Sequence, residues 1–313
     1  MPYKVTVNQS QLHPVITLIN RDTQCSAEIY AFGGLLNQFS IPVDDQLVNV
    51  IDGFSSVDDA VQNITNGFKS ARLSPFTCRL NIGEYHFAQQ LYKVEKFYLP
   101  PHAIHGITFD AVYEIKDTYE DDTHASVTLH YRYTAVDKGY PFSYDVTLKW
   151  KLENNNKISV RAAVYHLNKH TIPYAEGWHP YFNLGTSVND CTLQFDSNTM
   201  LEFDETLIPT GKKINDERFI SGALLNDTFL DNCFELNKTE HPKCVFSNQK
   251  IILTVLPEAS YPYLQIYTPP HRNSIAIENL SGAPDAFNNG IGLKLLEPNH
   301  TYTFATSYIL KAQ

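Results

Sequence analysis

The stretch from Gly177 to Leu184 reads Gly-Trp-His-Pro-Tyr-Phe-Asn-Leu and sets a titratable imidazole, His179, between large aromatic residues and a proline. Pro180 removes a backbone donor, fixes its own φ and pushes His179 towards an extended conformation. A side chain held at such an interruption is well placed for proton transfer near neutral pH. Trp178 and Tyr181 offer flat apolar faces with polar tips, which suits a ligand that is part hydrocarbon and part hydroxyl. Alone, the motif reads first as a strand end whose aromatics fill a core and whose histidine is merely hydrogen-bonded, because a site needs several convergent groups.

Other residues of suitable type lie far away in the chain. Arg72 and Arg79 flank Ser-Pro-Phe-Thr-Cys, where a guanidinium can donate a planar fork to ligand oxygens or lie on a strand edge in solvent. His105 precedes Gly106, whose freedom lets backbone approach something closely. Asp231 stands before Asn232, a pair expected to make a turn by capping its own backbone. Glu278 ends the apolar run Ser274–Ile277.

The composition limits what these groups can serve. With 313 residues, 43% hydrophobic and 19% charged, the chain can fill a large core without disulfides or metals. Its net charge of −10 and the lack of a basic run argue against nucleic acid. The five cysteines are odd in number and have no Cys-x-x-Cys spacing, so reduced thiols in a cytoplasmic protein are expected. Residues 1–20 carry no basic segment followed by an apolar stretch, and no uncharged run nears the ~20 residues of a membrane span, so a soluble protein that is not exported is expected.

The elements that must position the candidates read as strands. Val127, Leu129, Tyr131 and Tyr133 alternate with polar residues, as do Tyr144–Leu152 and Ile158–Val164, with turns at Gly139-Tyr140-Pro141 and Asn154-Asn155-Asn156. This predicts an antiparallel meander. Further strands are expected at Val15–Ile19, Ala27–Ala31, Ile251–Leu256, Tyr263–Tyr267 and Thr301–Leu310, and a turn at Ile208-Pro209-Thr210-Gly211. Ser55–Asn66 reads equally as a short helix or a loop. No linker or repeat interrupts the pattern, so residues 1–313 are expected to form one large antiparallel β domain.

Taken in order, the motifs Ser-Pro-Phe-Thr-Cys-Arg-Leu (74–80), His-Gly (105–106), His-Pro-Tyr-Phe-Asn-Leu (179–184), Ile-Pro-Thr-Gly (208–211), Leu-Asp-Asn-Cys-Phe (230–234), Ile-Ala-Ile-Glu (275–278) and Pro-Asp-Ala-Phe-Asn (284–288) resemble the aldose 1-epimerase, or galactose mutarotase-like, family over nearly the whole chain. The resemblance implies an all-β fold, a large antiparallel β-sandwich with a sugar cleft over one sheet, and no metal or organic cofactor. It implies Glu278 as the base for the anomeric hydroxyl and His179 as the acid for the ring oxygen. Arg79, His105 and Asp231 are implied as substrate-binding residues. Trp178 either stacks on the sugar or packs beneath the motif. The expected partner is a hexose or pentose, and the expected assembly a monomer or homodimer. Two positions depart from the family pattern: Ile107 replaces a glycine, which could narrow the cleft, and Asn279 replaces a proline after the glutamate.

Rival readings are a glycosidase using Asp231 and Glu278, a metal site of His105, His179 and Glu278 without local ligand spacing, and a non-catalytic sugar-binding relative. A hexose-6-phosphate epimerase would need basic groups, for which Lys69, Arg72 and Arg79 are the candidates.

Overall fold

The computed structural model of the chain describes residues 1–239 and 242–313. The expected meander forms the heart of a nine-stranded sheet, with Tyr144–Glu153 paired antiparallel to both His124–Tyr133 and Lys157–Tyr165. Thr301–Ala312 then joins this group to Ile251–Pro257. An eight-stranded sheet runs through Thr199–Phe203, Asp231–Glu235, Tyr263–Tyr267, Ile275–Leu280, Gly177–His179 and Ala71–Leu73. A five-stranded antiparallel sheet is built from the first 49 residues. The all-β, antiparallel expectation is therefore met. Ser55–Asn66 resolves into a helix at Val57–Asn63, where the Ser56 hydroxyl accepts from the Asp59 amide at 3.1 Å.

The two large sheets face each other across a core in which Trp150 and Trp178 meet edge to face, their ring centroids 5.3 Å apart. Each indole finds an acceptor: Trp150 donates to the Gly34 carbonyl at 2.9 Å and Trp178 to the Tyr261 hydroxyl at 3.2 Å. Tyr261 in turn donates to Glu176 at 2.7 Å, and Glu176 is ion-paired with Arg72. Arg72 also donates to Ser74, which bonds Tyr144 of the opposite sheet at 3.0 Å. A buried charge without partners is costly, so this network fixes the strands that carry it.

Several local expectations are corrected. Arg72 is neither a surface residue nor a ligand donor: it is 0% exposed and committed to Glu176. The turn expected at 208–211 is a strand, Pro209–Asn215; the chain reverses just before it, where Asp204 accepts from the Thr206 and Ile208 amides. Asp231 and Asn232 open the strand Asp231–Glu235 instead of a turn, because Tyr263–Tyr267 supplies a full ladder. Glu278 lies inside the strand Ile275–Leu280 instead of at its end. Ile107 is buried in the sandwich core, and Asn279 is held between strands with its amide towards Tyr308, so neither narrows a cleft. No helix among the described residues is long and apolar enough to cross a membrane.

Glu176→Gln leaves the Arg72 charge buried and uncompensated, and a loss of about 3–5 kcal/mol is expected. Urea denaturation of the two proteins measures it; unchanged midpoints would show that the pair does not hold the sheets.

Candidate active site

The register of two strands creates the site. Trp178 pairs with Asn279 and Tyr181 with Ala276, so the intervening pairs are His179 with Glu278 and Pro180 with Ile277. The Ile277 amide donates to the Pro180 carbonyl at 3.3 Å, and the missing proline N–H falls where only one bond is made. His179 and Glu278 thus form the adjacent non-hydrogen-bonded pair, the kind in which side chains approach most closely. Their Nε2 and Oε1 atoms lie 3.4 Å apart, both residues almost fully buried. Alternation along the same strand sends Trp178 to the opposite face, into the core, so the expectation that it stacks on a ligand is corrected to a packing role.

A cleft of about 300 Å³ opens over His179 and Glu278, at the lower end of the ~300–1,000 Å³ usual for small-molecule sites. Arg79, His105 and Asp231 line it too, as does Gln265, which the sequence reading did not single out. Gln265 stands opposite Glu278 in the neighbouring strand and donates to Asp231 at 2.7 Å. The only early sign was its polar character inside a strand otherwise made of Tyr, Leu and Ile. Phe68, Phe97, Leu99, Ile104, Phe203 and Leu207 supply apolar walls.

Polar atoms have been left open here. His105 Nδ1, His179 Nδ1 and Gln265 Oε1 are buried without a hydrogen-bond partner. Buried polar groups are nearly always paired, so a cluster of exceptions lining one cleft marks a place for a polar ligand. The backbone is also held unusually: Phe68, Cys78, His105 and Leu207, all on the lining, have φ between 48° and 64°. Such left-handed residues persist only where their surroundings enforce them, and they concentrate at functional sites. Gly106 (φ +76°) confirms the close approach expected of it, since a Cβ there would sit 2.2 Å from the Ser74 carbonyl oxygen.

Burial dominates the electrostatics. It pushes the Glu278 carboxyl well above the ordinary carboxylate range, helped by the nearby Asp231 charge. It lowers His179 to about 4 and His105 well below the usual imidazole value, the latter aided by His179 and Arg79. Asp231 is raised by burial against the opposing pull of Arg79 and Gln265. With His179 lowered and Glu278 raised, the facing pair carries one proton at pH values between the two. Lys69 is drawn away from the cleft into an ion pair with Asp52 at 2.6 Å, leaving Arg79 as the lysine or arginine on the lining.

Comparison with known proteins agrees with this architecture. The profile of the aldose 1-epimerase family matches residues 14–309. YihR, an uncharacterized protein of Escherichia coli K12, is 28% identical over 72% of the chain and 73% of its own length. An aldose 1-epimerase of Streptococcus thermophilus is 27% identical over 58% of the chain, a match that spans about half (53%) of that enzyme. Two crystal structures share the fold: a galactose 1-epimerase from Lactobacillus acidophilus (TM-score 0.84, 20% identity, covering 99% of this chain and 98% of that one) and a GalM/aldose epimerase homologue from C. elegans (TM-score 0.83, 18% identity, 99% of each). With the family profile running through nearly every strand that builds the cleft, the chain belongs to the aldose 1-epimerase family.

Proposed function

We propose that the protein interconverts the α and β anomers of a neutral aldose by acid–base-catalysed ring opening, acting as a cofactor-independent isomerase. The observation that carries this reading is the His179–Glu278 pair, 3.4 Å apart on the floor of a sugar-sized cleft. Glu278 removes the proton of the anomeric hydroxyl while His179 delivers one to the ring oxygen. The ring opens to the aldehyde, the C1–C2 bond rotates, and the reverse transfers close it on the other carbonyl face. Since one proton leaves and one arrives at each step, a pair sharing a single proton suffices. Arg79, His105, Asp231 and Gln265 hold the sugar hydroxyls, and the unpaired His105 and Gln265 atoms are satisfied by them.

The same geometry weighs against the rival readings. A 6-phosphate would need a cluster of cations, and both Lys69 and Arg72 are committed to carboxylates elsewhere. A glycosidase would use Asp231 and Glu278 as its carboxylates, but Asp231 is tied to Gln265 while Glu278 faces an imidazole. A cytoplasmic site of action accords with the five cysteines, all free and buried.

Polarimetry of freshly dissolved α-galactose or α-glucose should show faster equilibration with the protein than without it. Glu278→Gln and His179→Asn variants with unchanged circular dichroism should each lose about 10²–10⁴ in rate. A wild-type protein that leaves every neutral sugar at its spontaneous rate while accelerating a 6-phosphate would replace this reading with the phosphate one.

The pH profile of kcat/KM follows from the shared proton. Below about 4 His179 takes up a second proton, no base remains, and the rate falls. As pH rises through the elevated Glu278 value the pair loses its last proton, no acid remains, and the rate falls again. A bell-shaped profile is expected, with its acid limb near 4 and its alkaline limb above the ordinary carboxylate value of about 4.3. A single limb at that ordinary value would contradict it.

A further inference from the structure

Beside the proposed base the cleft contains two ligating side chains, Cys78 and His105, that proton transfer does not use. Arg79 pairs with Ile104, and the His105 amide donates to the Cys78 carbonyl at 2.8 Å, so Cys78 and His105 stand opposite each other. Both are held in left-handed backbone, with φ of 48° and 62°. Glu278 reaches the same point from the next sheet, its Oε2 lying 3.8 Å from the Cys78 sulfur. One ligand atom from each of Cys78, His105 and Glu278 lies within 4.8 Å of the others, and all three residues are buried. His105 is more than nine-tenths buried, yet its Nδ1 has no hydrogen-bond partner.

We propose that Cys78, His105 and Glu278 bind a thiophilic divalent cation of the zinc type, and that its binding inhibits the enzyme by occupying the sugar cleft. One sulfur, one imidazole nitrogen and one carboxylate oxygen form a set that favours zinc over magnesium or calcium. Metal–ligand distances of ~2.0–2.3 Å in a tetrahedral site place donor atoms roughly 3.3–3.8 Å apart. The sulfur–carboxylate separation already fits, and the widest separation in the set must close by about 1 Å. Three protein ligands leave the fourth position open to water on the cleft side. On binding, the Cys78 thiol and the Glu278 carboxyl release their protons to solvent, and the thiolate, the imidazole and the carboxylate each donate a lone pair. That ligation takes up the carboxylate charge of the proposed base, so the inhibition rests on the anomerase reading whereas the binding does not.

Cobalt(II) titrated into the purified full-length protein should give a thiolate-to-metal charge-transfer band in the near ultraviolet at one equivalent. Cys78→Ser should abolish that band, and His105→Asn should weaken cobalt affinity at least about tenfold. In the anomerisation assay zinc should inhibit the wild type, compete with the sugar and be reversed by EDTA. The ratio of activities with and without zinc should shift about tenfold in Cys78→Ser. A wild type without the band, or a band of equal strength in Cys78→Ser arising from Cys25, Cys191, Cys233 or Cys244, would overturn the site. If Cys78→Ser does not fold, unchanged cobalt affinity in His105→Asn overturns it equally. A Cys78-dependent band in a protein inert towards every sugar would refute the anomerase reading and leave the metal site standing; anomerisation without the band would do the reverse.

Discussion

Everything in the cleft depends on the antiparallel register between Gly177–Phe182 and Ile275–Leu280. Side chains alternate with a period of two, so a slip of the first strand by one residue would carry His179 to the core and Trp178 to the cleft, leaving Glu278 without its partner. The core side of the register is enforced by Trp178 against Trp150 and by Ile275 and Ile277 in the same apolar cluster. Below them the Arg72–Glu176 pair and its tyrosine partners accept no other arrangement without leaving a charge unpaired. The hydrophobic and polar parts of the core therefore select the same register, and the facing imidazole and carboxyl are its outcome.

The same packing sets the chemistry. Desolvation raises the Glu278 carboxyl and lowers the His179 imidazole, moving their proton affinities in opposite directions. The proposed ring opening needs no strong electrophile, only paired proton transfers, which a dry, preorganised pair could supply. The unpaired nitrogens and amide oxygen around it, and the left-handed residues Phe68, Cys78, His105 and Leu207, are costs of folding that the ordinary β architecture does not require. Their collection on a single lining is what distinguishes this face of the sheet from the rest of the molecule.

How much of this was legible in the chain differs by kind of residue. His179, Glu278, Arg79, His105 and Asp231 were marked by type and by motif order, and the fold brings all of them to one cleft. Gln265 went unmarked because a glutamine in a strand carries no local pattern; its meaning comes from standing opposite Glu278 and bonding Asp231. Arg72 and Trp178 misled for the opposite reason. Their side chains suit a ligand site and suit a buried network equally well, and only the direction in which each strand faces separates the two.

The sequence by itself determined the antiparallel β class, because period-two alternation over Val127–Tyr133, Tyr144–Leu152 and Ile158–Val164 is local information and admits few sheet geometries. It also determined the cast of titratable side chains. The tertiary structure alone decided which of them meet. Residues 179 and 278 are joined by a strand register that no local pattern encodes, and their proton affinities are set by the exclusion of water, a property of the packed sheets and not of any segment.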